Sequence, residues 1–366
     1  MIVKNEAHVI ERCLASTLPV IDTWCIVDTG STDGTQEKIK KFFEQVGIPG
    51  EIHERPWVDF ATNRSEALEL SRSMGDYTLM IDADEILEFV GNFDAEIFKR
   101  SLTADLYNVW AFYGGTKYHR PQLTSNKLKF YYRGVLHEYV DCHDEIRTKE
   151  FAPGLLNRPI QDGARSKDPE KYKKDAEVFV KALAAGADPK DINRYQFYLA
   201  QSYRDAQMWP ESLEAYQKRA DMGGWVDEVF YSLFQVGRIK EILNHPIDDI
   251  IKVYFQAFQV APYRAESLWA AARLCRMNCR FDQGYIFAKH AMNIRSPDGA
   301  LFVAAPIYEW CIKDEFAISA FWTGHYKESK IAAEMLMQEN KFPPDQKDRI
   351  EANLKHSINA LLSNNP

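Results

Sequence analysis

The sequence lacks the features that define several common classes of protein. Its longest uncharged apolar run spans only residues 300–308 and contains a proline, whereas a helix that crosses a bilayer needs roughly 18 apolar residues. Its 45 Lys and Arg residues are outnumbered by 53 Asp and Glu residues, which gives a net charge of −8. A chain with this balance lacks the overall positive charge expected of a nucleic-acid binder. We therefore predict no transmembrane segment and no nucleic-acid partner.

The cysteines are few and dispersed. Only Cys275 and Cys279 lie close together, and a spacing of four residues within an apolar helical stretch is more typical of packing than of metal binding. No second Cys or His pair completes a zinc site there. The first residues also lack the apolar segment of a signal peptide. We expect reduced thiols in a cytoplasmic protein.

Strand and helix patterns alternate in the first half of the chain. With 366 residues, of which 46% are apolar, the chain has the length and composition of two ordinary folded domains. Residues 24–28 predict a buried strand, residues 36–46 an amphipathic helix and residues 77–81 a second buried strand. This alternation favours βαβ units in a parallel sheet.

Acidic residues follow both of these predicted strands. Asp28 ends the first, and Asp82 and Asp84 come directly after the second. Ligands of parallel sheets bind beyond the carboxyl ends of the strands, so we expect these acids to meet at one edge. Two carboxylates at this spacing can face one hard cation, Mn²⁺ or Mg²⁺, whose other ligands are water and phosphate oxygens. A phosphatase with the same spacing would need Thr or Val at the position of Ile86.

The order of the motifs is more specific than any single motif. Val-Lys-Asn-Glu at 3–6, Val-Asp-Thr-Gly-Ser-Thr-Asp-Gly-Thr at 27–35, Asn63-Arg64 and Ile-Asp-Ala-Asp-Glu at 81–85 follow one another along the chain. In this order they resemble the family 2 glycosyltransferases, which have the α/β GT-A fold, invert configuration at the transferred sugar and use nucleotide-sugars. The resemblance covers residues 1–90 well and continues less distinctly to about residue 140. Because the first strand begins almost at the first residue, we expect either a shortened N-terminus or a short first strand.

The resemblance implies a role for each matching residue. Nucleotide-sugar binding would fall to Asn5, Glu6, Asp28, Arg64 and Asp82, and metal binding, of Mn²⁺ or Mg²⁺, to Asp82 and Asp84. Asp28 would accept a hydrogen bond from the base, typically uracil, and Arg64 would reach the nucleotide or its phosphates. Asn5 and Glu6 could instead cap the first helix.

A second group of candidates lies at residues 131–139, whose Gly-x-x-His-Glu pattern is similar to that of a subset of these enzymes. We expect His137 to be the third metal ligand, because a neutral imidazole can complete a site begun by carboxylates. Glu138 is the candidate general base that deprotonates an acceptor hydroxyl or thiol. Residues 135–140 predict a strand, on which neighbours point to opposite faces, so both side chains can serve one site only if the segment bends. The competing candidates are Glu85 and Asp141 for the base, with His143 and Asp144 nearby.

Helices replace strands beyond about residue 168. A pattern of an aromatic, a small residue three positions on, and an aromatic or small residue four further on recurs. Its copies are Trp209-Ser212-Tyr216, Phe281-Gly284-Ala288 and Tyr326-Ser329-Ala333. This resembles tetratricopeptide repeats, helix pairs in which small residues let the helices approach closely. We predict a GT-A domain at residues 1–165 and an all-α tetratricopeptide-like domain at residues 166–366.

The two halves together are similar to bacterial enzymes that glycosylate peptides or proteins on sulfur or oxygen, and to viral relatives. The resemblance implies a metal-dependent inverting glycosyltransferase, of hexosyltransferase type, that moves a sugar from a nucleotide-sugar, foremost a UDP-sugar, to a peptide, protein or glycan. The repeats would bind the acceptor or join two copies as a homodimer. The alternative is a catalytically silent scaffold that binds a protein partner.

Overall fold

The structure is a computed structural model that describes residues 1–113 and 116–363. The chain forms two compact units, Met1–Ala182 and Leu183–Pro366. This boundary lies further along the chain than the one predicted after residue 165. The first unit extends this far because Phe179, which is fully buried, stacks beside the ring of His137.

The first unit is α/β, as predicted. Its strands are β1 (Ile2–Val3), β2 (Trp24–Asp28), β3 (Gly50–Glu54), β4 (Tyr77–Leu79), β5 (Glu85–Phe89), β6 (Leu106–Tyr113), β7 (Thr116–Ser125), β8 (Phe130–Arg133), β9 (Tyr139–Cys142) and β10 (Lys149–Pro159). Its helices are α1 (Ile10–Thr17), α2 (Thr35–Val46), α3 (Phe60–Ser71), α4 (Ala95–Ser101) and α5 (Lys171–Ala184).

The predicted parallel sheet is formed by β1, β2 and β3, in that order. Its central strand buries Ile26 and Val27, and helix α2 places Ile39 and Phe43 in the same core as Ile26. The alternation of apolar strand and amphipathic helix therefore folds as the pattern predicts. Because the strands are parallel, the loops after β1, β2 and β3 leave from one edge of the sheet.

The remaining strands lie outside the parallel sheet. Five of them form a mixed sheet in the order β4-β7-β6-β10-β5, and β8 pairs with β9 as an antiparallel hairpin. The strand predicted at residues 135–140 begins only at Tyr139, and residues 134–138 form an irregular turn. Gly134 and His137 both have positive φ in this turn, which breaks the strand that the apolar pattern suggests.

The second unit consists of successive helices, each packed against the next. They are α6 (Ile192–Asp205), α7 (Trp209–Asp221), α8 (Val226–Ile242), α9 (Ile247–Val260), α10 (Glu266–Met277), α11 (Phe281–Ala291), α12 (Ile312–Trp322), α13 (Tyr326–Glu339) and α14 (Lys347–Ser363). No helix in the described ranges is both long and apolar enough to span a membrane.

The small residues of the repeated pattern lie where these helices touch. The hydroxyl of Ser212 donates to the carbonyl of Ala200 at 2.9 Å, and that of Ser329 donates to Ala317 at 2.7 Å. In the copy between them, a Cβ on Gly284 would lie 3.3 Å from the carbonyl of Ala272. Each pair is separated by the same twelve residues. The helix-pair repeat is thus confirmed, and close backbone approach explains the small side chains.

Candidate active site

The loops after β1 and β2 are tied to each other by Asn5. Its side-chain oxygen accepts a hydrogen bond from Thr32 N at 2.8 Å, and its own N–H donates to Ser31 Oγ at 2.9 Å. Asn5 has a φ of 58°, a left-handed conformation that asparagine tolerates better than most residues. Helix α1 has Val9 at its N-cap and no side-chain cap. Asn5 therefore shapes the edge of the sheet and does not cap the helix.

Asp28 is the last residue of β2, and among the described residues only one of its two carboxylate oxygens accepts hydrogen bonds. Its Oδ1 accepts from Gly30 N at 2.9 Å and from Ser31 N at 2.8 Å. Its Oδ2 is buried and has no hydrogen-bond partner among the described residues. A buried acceptor without a partner costs free energy. This oxygen is therefore available to a donor group from a ligand.

Glu6 and Asp84 form an acidic pair against the backbone of residues 163–164. A Cβ on Gly163 would lie 3.0 Å from Asp84 Oδ2 and 3.3 Å from Glu6 Oε1, so glycine permits the close approach. Ala164 N donates to the Glu6 carboxylate at 3.3 Å. Partial burial, reinforced by the charge of Asp82, raises the pKa of Asp84. Burial and the charge of Asp84 also raise the pKa of Glu6, against the hydrogen bond from Ala164.

Arg64 of helix α3 joins the two other predicted acids. Its guanidinium donates to Asp82 Oδ1 at 2.5 Å and also to Glu138 Oε1. The side chain of Glu138 is 8% exposed and that of Asp82 29%. Burial alone would raise the pKa of Asp82, but the guanidinium groups of Arg64 and Arg120 lower it below its ordinary value. Arg64, Asp82 and Glu138 are thus brought together, as an ion-paired triad.

The competing candidates for the base have structural partners. Glu85 is almost fully buried, pairs with Arg120 and accepts a hydrogen bond from Asp82 N at 3.0 Å. Burial raises the pKa of Glu85, with Arg120 opposing the change. Asp141 accepts from Tyr131 OH at 3.0 Å within the β8–β9 hairpin. His143 stacks on Tyr131, and Asp144 accepts from Lys129 N.

The predicted set of three metal ligands is not assembled. His137 lies in the turn before β9 with a φ of 50°, and its ring is parallel to that of Phe179 with centroids 6.3 Å apart. No group of three or more His, Cys, Asp or Glu side chains placed to hold a metal ion occurs in the part of the chain that the structure describes. The turn places the ring of His137 beside that of Phe179, and its role as a metal ligand stays a prediction.

The acids nonetheless fit a hard divalent cation in their chemistry. Glu6 and Asp84 offer carboxylate oxygens, the donors that Mn²⁺ and Mg²⁺ prefer. The raised pKa values of these two groups reflect burial beside like charge, which a cation would relieve. Two protein carboxylates suffice where phosphates and water complete the coordination.

Three contributors to this edge lie outside the predicted set of site residues. Arg120, on β7, pairs with Glu85 and lowers the pKa of Asp82. Gly163 and Ala164 contact the acidic pair with their backbone. All three lie outside the motifs in sequence, Arg120 on β7 and the other two just after β10, and the pairing of these strands brings them to the site. The short Asp-Gly-Ala-Arg stretch at 162–165 is the one local signal that marks a turn there.

Comparisons with known proteins agree with this geometry. Residues 1–90 match the family model described as glycosyl transferase family 2. A TPR repeat-containing protein of Synechococcus elongatus is 35% identical over 88 residues, which cover 24% of this chain and 20% of that protein. The chain therefore matches about a fifth of the length of this curated relative.

Two solved structures are each similar to about half of this chain. A tetratricopeptide repeat protein of Parabacteroides merdae has a TM-score of 0.38 at 12% identity, covering 52% of this chain and 67% of that one. BtubC of P. vanneervenii has a TM-score of 0.38 at 15% identity, covering 47% and 76%. The family match covers the three motifs that contribute Glu6, Asp28 and Asp84 to one edge. Residues 1–90 of this chain are therefore similar to glycosyl transferase family 2, and helix pairs follow them.

Proposed function

We propose that the N-terminal unit transfers a glycosyl group from a UDP-sugar to a peptide, protein or glycan acceptor, with inversion and with Mn²⁺ or Mg²⁺. One observation carries the proposal: a single edge holds the unpartnered Oδ2 of Asp28 and the acidic pair Glu6 and Asp84. A nucleoside diphosphate matches both, since its base offers an N–H donor and its phosphates bind hard cations. The helical unit is proposed to hold the acceptor or to join two copies of the chain.

Each end of the donor has a candidate partner. Asp28 would accept the N–H of the uracil ring. Glu6 and Asp84 would hold the divalent cation, which would neutralise the charge that develops on the departing diphosphate. Arg64 would donate to phosphate oxygens, since a guanidinium group can form bidentate hydrogen bonds with a phosphate.

Inversion requires a single displacement. The acceptor oxygen or sulfur attacks the anomeric carbon, the bond from that carbon to the diphosphate oxygen breaks, and a base takes the acceptor proton. Glu138 is the proposed base. Its Oε1 is bound to Arg64, so proton uptake requires Arg64 to turn away. Donor phosphates offer Arg64 a competing anion, and Glu138 is then an unpaired carboxylate in a nearly buried position.

A second candidate function has its own support. Arg64 neutralises Asp82 and Glu138 together, which also suits a stable, catalytically silent scaffold. The two candidates differ in turnover. A scaffold would release no UDP from any UDP-sugar, whereas a glycosyltransferase hydrolyses its donor slowly when no acceptor is present.

The deciding experiment is a thermal-shift panel of UDP-glucose, UDP-galactose and UDP-N-acetylglucosamine with and without Mn²⁺, followed by measurement of UDP release. A ligand that binds the native state raises the melting temperature by mass action. We expect a manganese-dependent shift for one donor, and loss of both shift and turnover in Asp84→Ala. The matched control is Asp76→Ala, an exposed turn residue before β4. Turnover that survives Asp84→Ala at saturating Mn²⁺ would refute the metal role, and absence of any shift favours the scaffold.

A further inference from the structure

The loop between β3 and α3 exposes the indole ring of Trp57 to solvent. Trp57 is 43% exposed and the neighbouring Val58 is 59% exposed. The loop itself is fixed, because buried Asn63 accepts from Val58 N at 3.0 Å and donates to Pro56 O at 3.1 Å. Asp59 then caps helix α3 by accepting from Thr62 N at 2.7 Å. A large apolar side chain presented by a well-anchored loop is typical of a recognition surface.

The same loop begins beside the unpartnered oxygen of Asp28. Glu54, the last residue of β3, is in register with Asp28, and Arg55 N donates to the Asp28 carbonyl at 2.9 Å. Trp57 follows two residues later, and each residue of extended chain spans at most about 3.6 Å. A planar ring hydrogen-bonded to Asp28 Oδ2 is therefore within reach of the indole.

The indole ring of Trp57 also packs against helix α3, which carries Arg64, the proposed partner of the donor phosphates. The rings of Trp57 and Phe60 meet edge to face with centroids 4.7 Å apart. The Arg64 guanidinium lies 5.8 Å from the centre of the Phe60 ring. Along the chain, Trp57 thus follows the strand end that lies beside Asp28 and precedes helix α3, which carries Arg64, and the nucleobase and diphosphate of one nucleotide would lie in the same order.

We propose that Trp57 stacks on the nucleobase of the donor while Asp28 Oδ2 accepts the ring N–H. This inference rests on the proposed function and deepens it, because it assigns the base-binding surface. The ligand class is a nucleotide whose ring carries an N–H donor, as uracil does at N3 and cytosine does not. Stacking supplies affinity for any base, since each has a π face, and the Asp28 carboxylate supplies the choice among bases.

The experiment titrates the full chain with UDP, with CDP and with pyrophosphate, in Mn²⁺, by calorimetry. CDP, which keeps the diphosphate but has no ring N–H, is expected to bind more weakly than UDP. Base stacking on an aromatic ring adds about 5- to 150-fold to affinity, so Trp57→Ala is expected to weaken UDP binding within that range. Trp57→Phe should keep most of the affinity. Pyrophosphate binding should be unchanged in both variants because it has no base. The matched control is Trp322→Ala, an indole of the helical unit that is 61% exposed and should leave UDP binding intact.

The outcomes separate this inference from the proposed function. If the wild-type chain binds no UDP, both fail. If it binds UDP with Mn²⁺ and Trp57→Ala binds equally well, only the stacking role fails. A parallel loss of pyrophosphate affinity, or a lowered melting temperature in Trp57→Phe, would assign Trp57 a structural role and overturn the inference. UDP affinity preserved while transfer to an acceptor is lost would move Trp57 to the acceptor side and would also overturn it.

Discussion

The two units bury charge in different ways. In the helical unit, Arg219 is fully buried, and its guanidinium donates to Glu228 Oε2 at 2.7 Å and to the Gly223 carbonyl at 2.7 Å. Arg264 is likewise buried and donates to Glu266 at 2.7 Å. Buried polar groups that satisfy one another in this way hold helices in register. These charges are complete without a ligand.

In the N-terminal unit, acidic side chains share one basic partner or, among the described residues, have none. One guanidinium, that of Arg64, serves both Asp82 and Glu138. Among the described residues, Glu6 and Asp84 form no ion pair with a basic side chain, and both have a raised pKa. Stability that is given up at one site is typical of a binding or catalytic centre. The comparison teaches that similar residue types hold the fold in one unit and await a ligand in the other.

Breaking a completed pair should have the largest effect. Arg219→Met leaves Glu228, whose side chain is 8% exposed, as a buried charge without its cation, so we expect a loss of about 3–5 kcal/mol in unfolding free energy. Urea denaturation followed by circular dichroism measures it. Arg280→Met is the matched control, because its partner Asp248 is 77% exposed and such pairs contribute about 0–1 kcal/mol. Equal losses in the two variants would contradict the contrast.

Breaking the shared pair in the N-terminal unit should cost less. Arg64→Met removes one cation from two carboxylates, of which Asp82 keeps 29% exposure and can be solvated. We expect about 2 kcal/mol, below the value for Arg219, because water partly replaces the lost partner. The double variant Arg64→Met/Glu138→Gln should recover part of the loss by removing the more buried acid. No recovery would mean that packing of the Arg64 stem, and not its charge, dominates.

Removing the carboxylate charge of Asp84 should have the smallest effect on the free energy of unfolding, and it should stabilise the protein instead of destabilising it. Burial and Asp82 raise the pKa of Asp84, so its ionisation opposes folding as pH rises from the unfolded-state pKa through the folded one. In metal-free buffer at pH 7, Asp84→Asn should raise stability by less than about 1 kcal/mol, after allowance for its partial exposure. The gain should vanish near pH 3, where wild-type Asp84 is protonated in both states. A variant less stable than wild type at pH 7 would show that the acid supports the fold.

The local patterns predicted most of the elements that carry the site. The strand at Trp24–Asp28 and the helix at Thr35–Val46 matched the sequence pattern within a residue, because period-2 and period-3.6 patterns follow directly from burial of one face. The strand predicted at residues 135–140 was wrong in its first half, because the apolar residues there suggest a strand while Gly134 and His137 adopt positive φ. Arg120 and Gly163 are outside the predicted set of site residues, because strand pairing over long sequence separation brings them to the edge.

The sequence by itself determined that an α/β unit precedes a helical repeat, and that Glu6, Asp28 and Asp84 follow strands. Local side-chain periodicity and chain order suffice for that. Only the tertiary structure decided which charges are satisfied. It left Asp28 Oδ2 without a partner, bound Glu138 to Arg64 and placed Glu6 beside Asp84. Hydrogen bonding and charge pairing depend on distances of a few tenths of an ångström between segments far apart in the chain, and no local pattern encodes them.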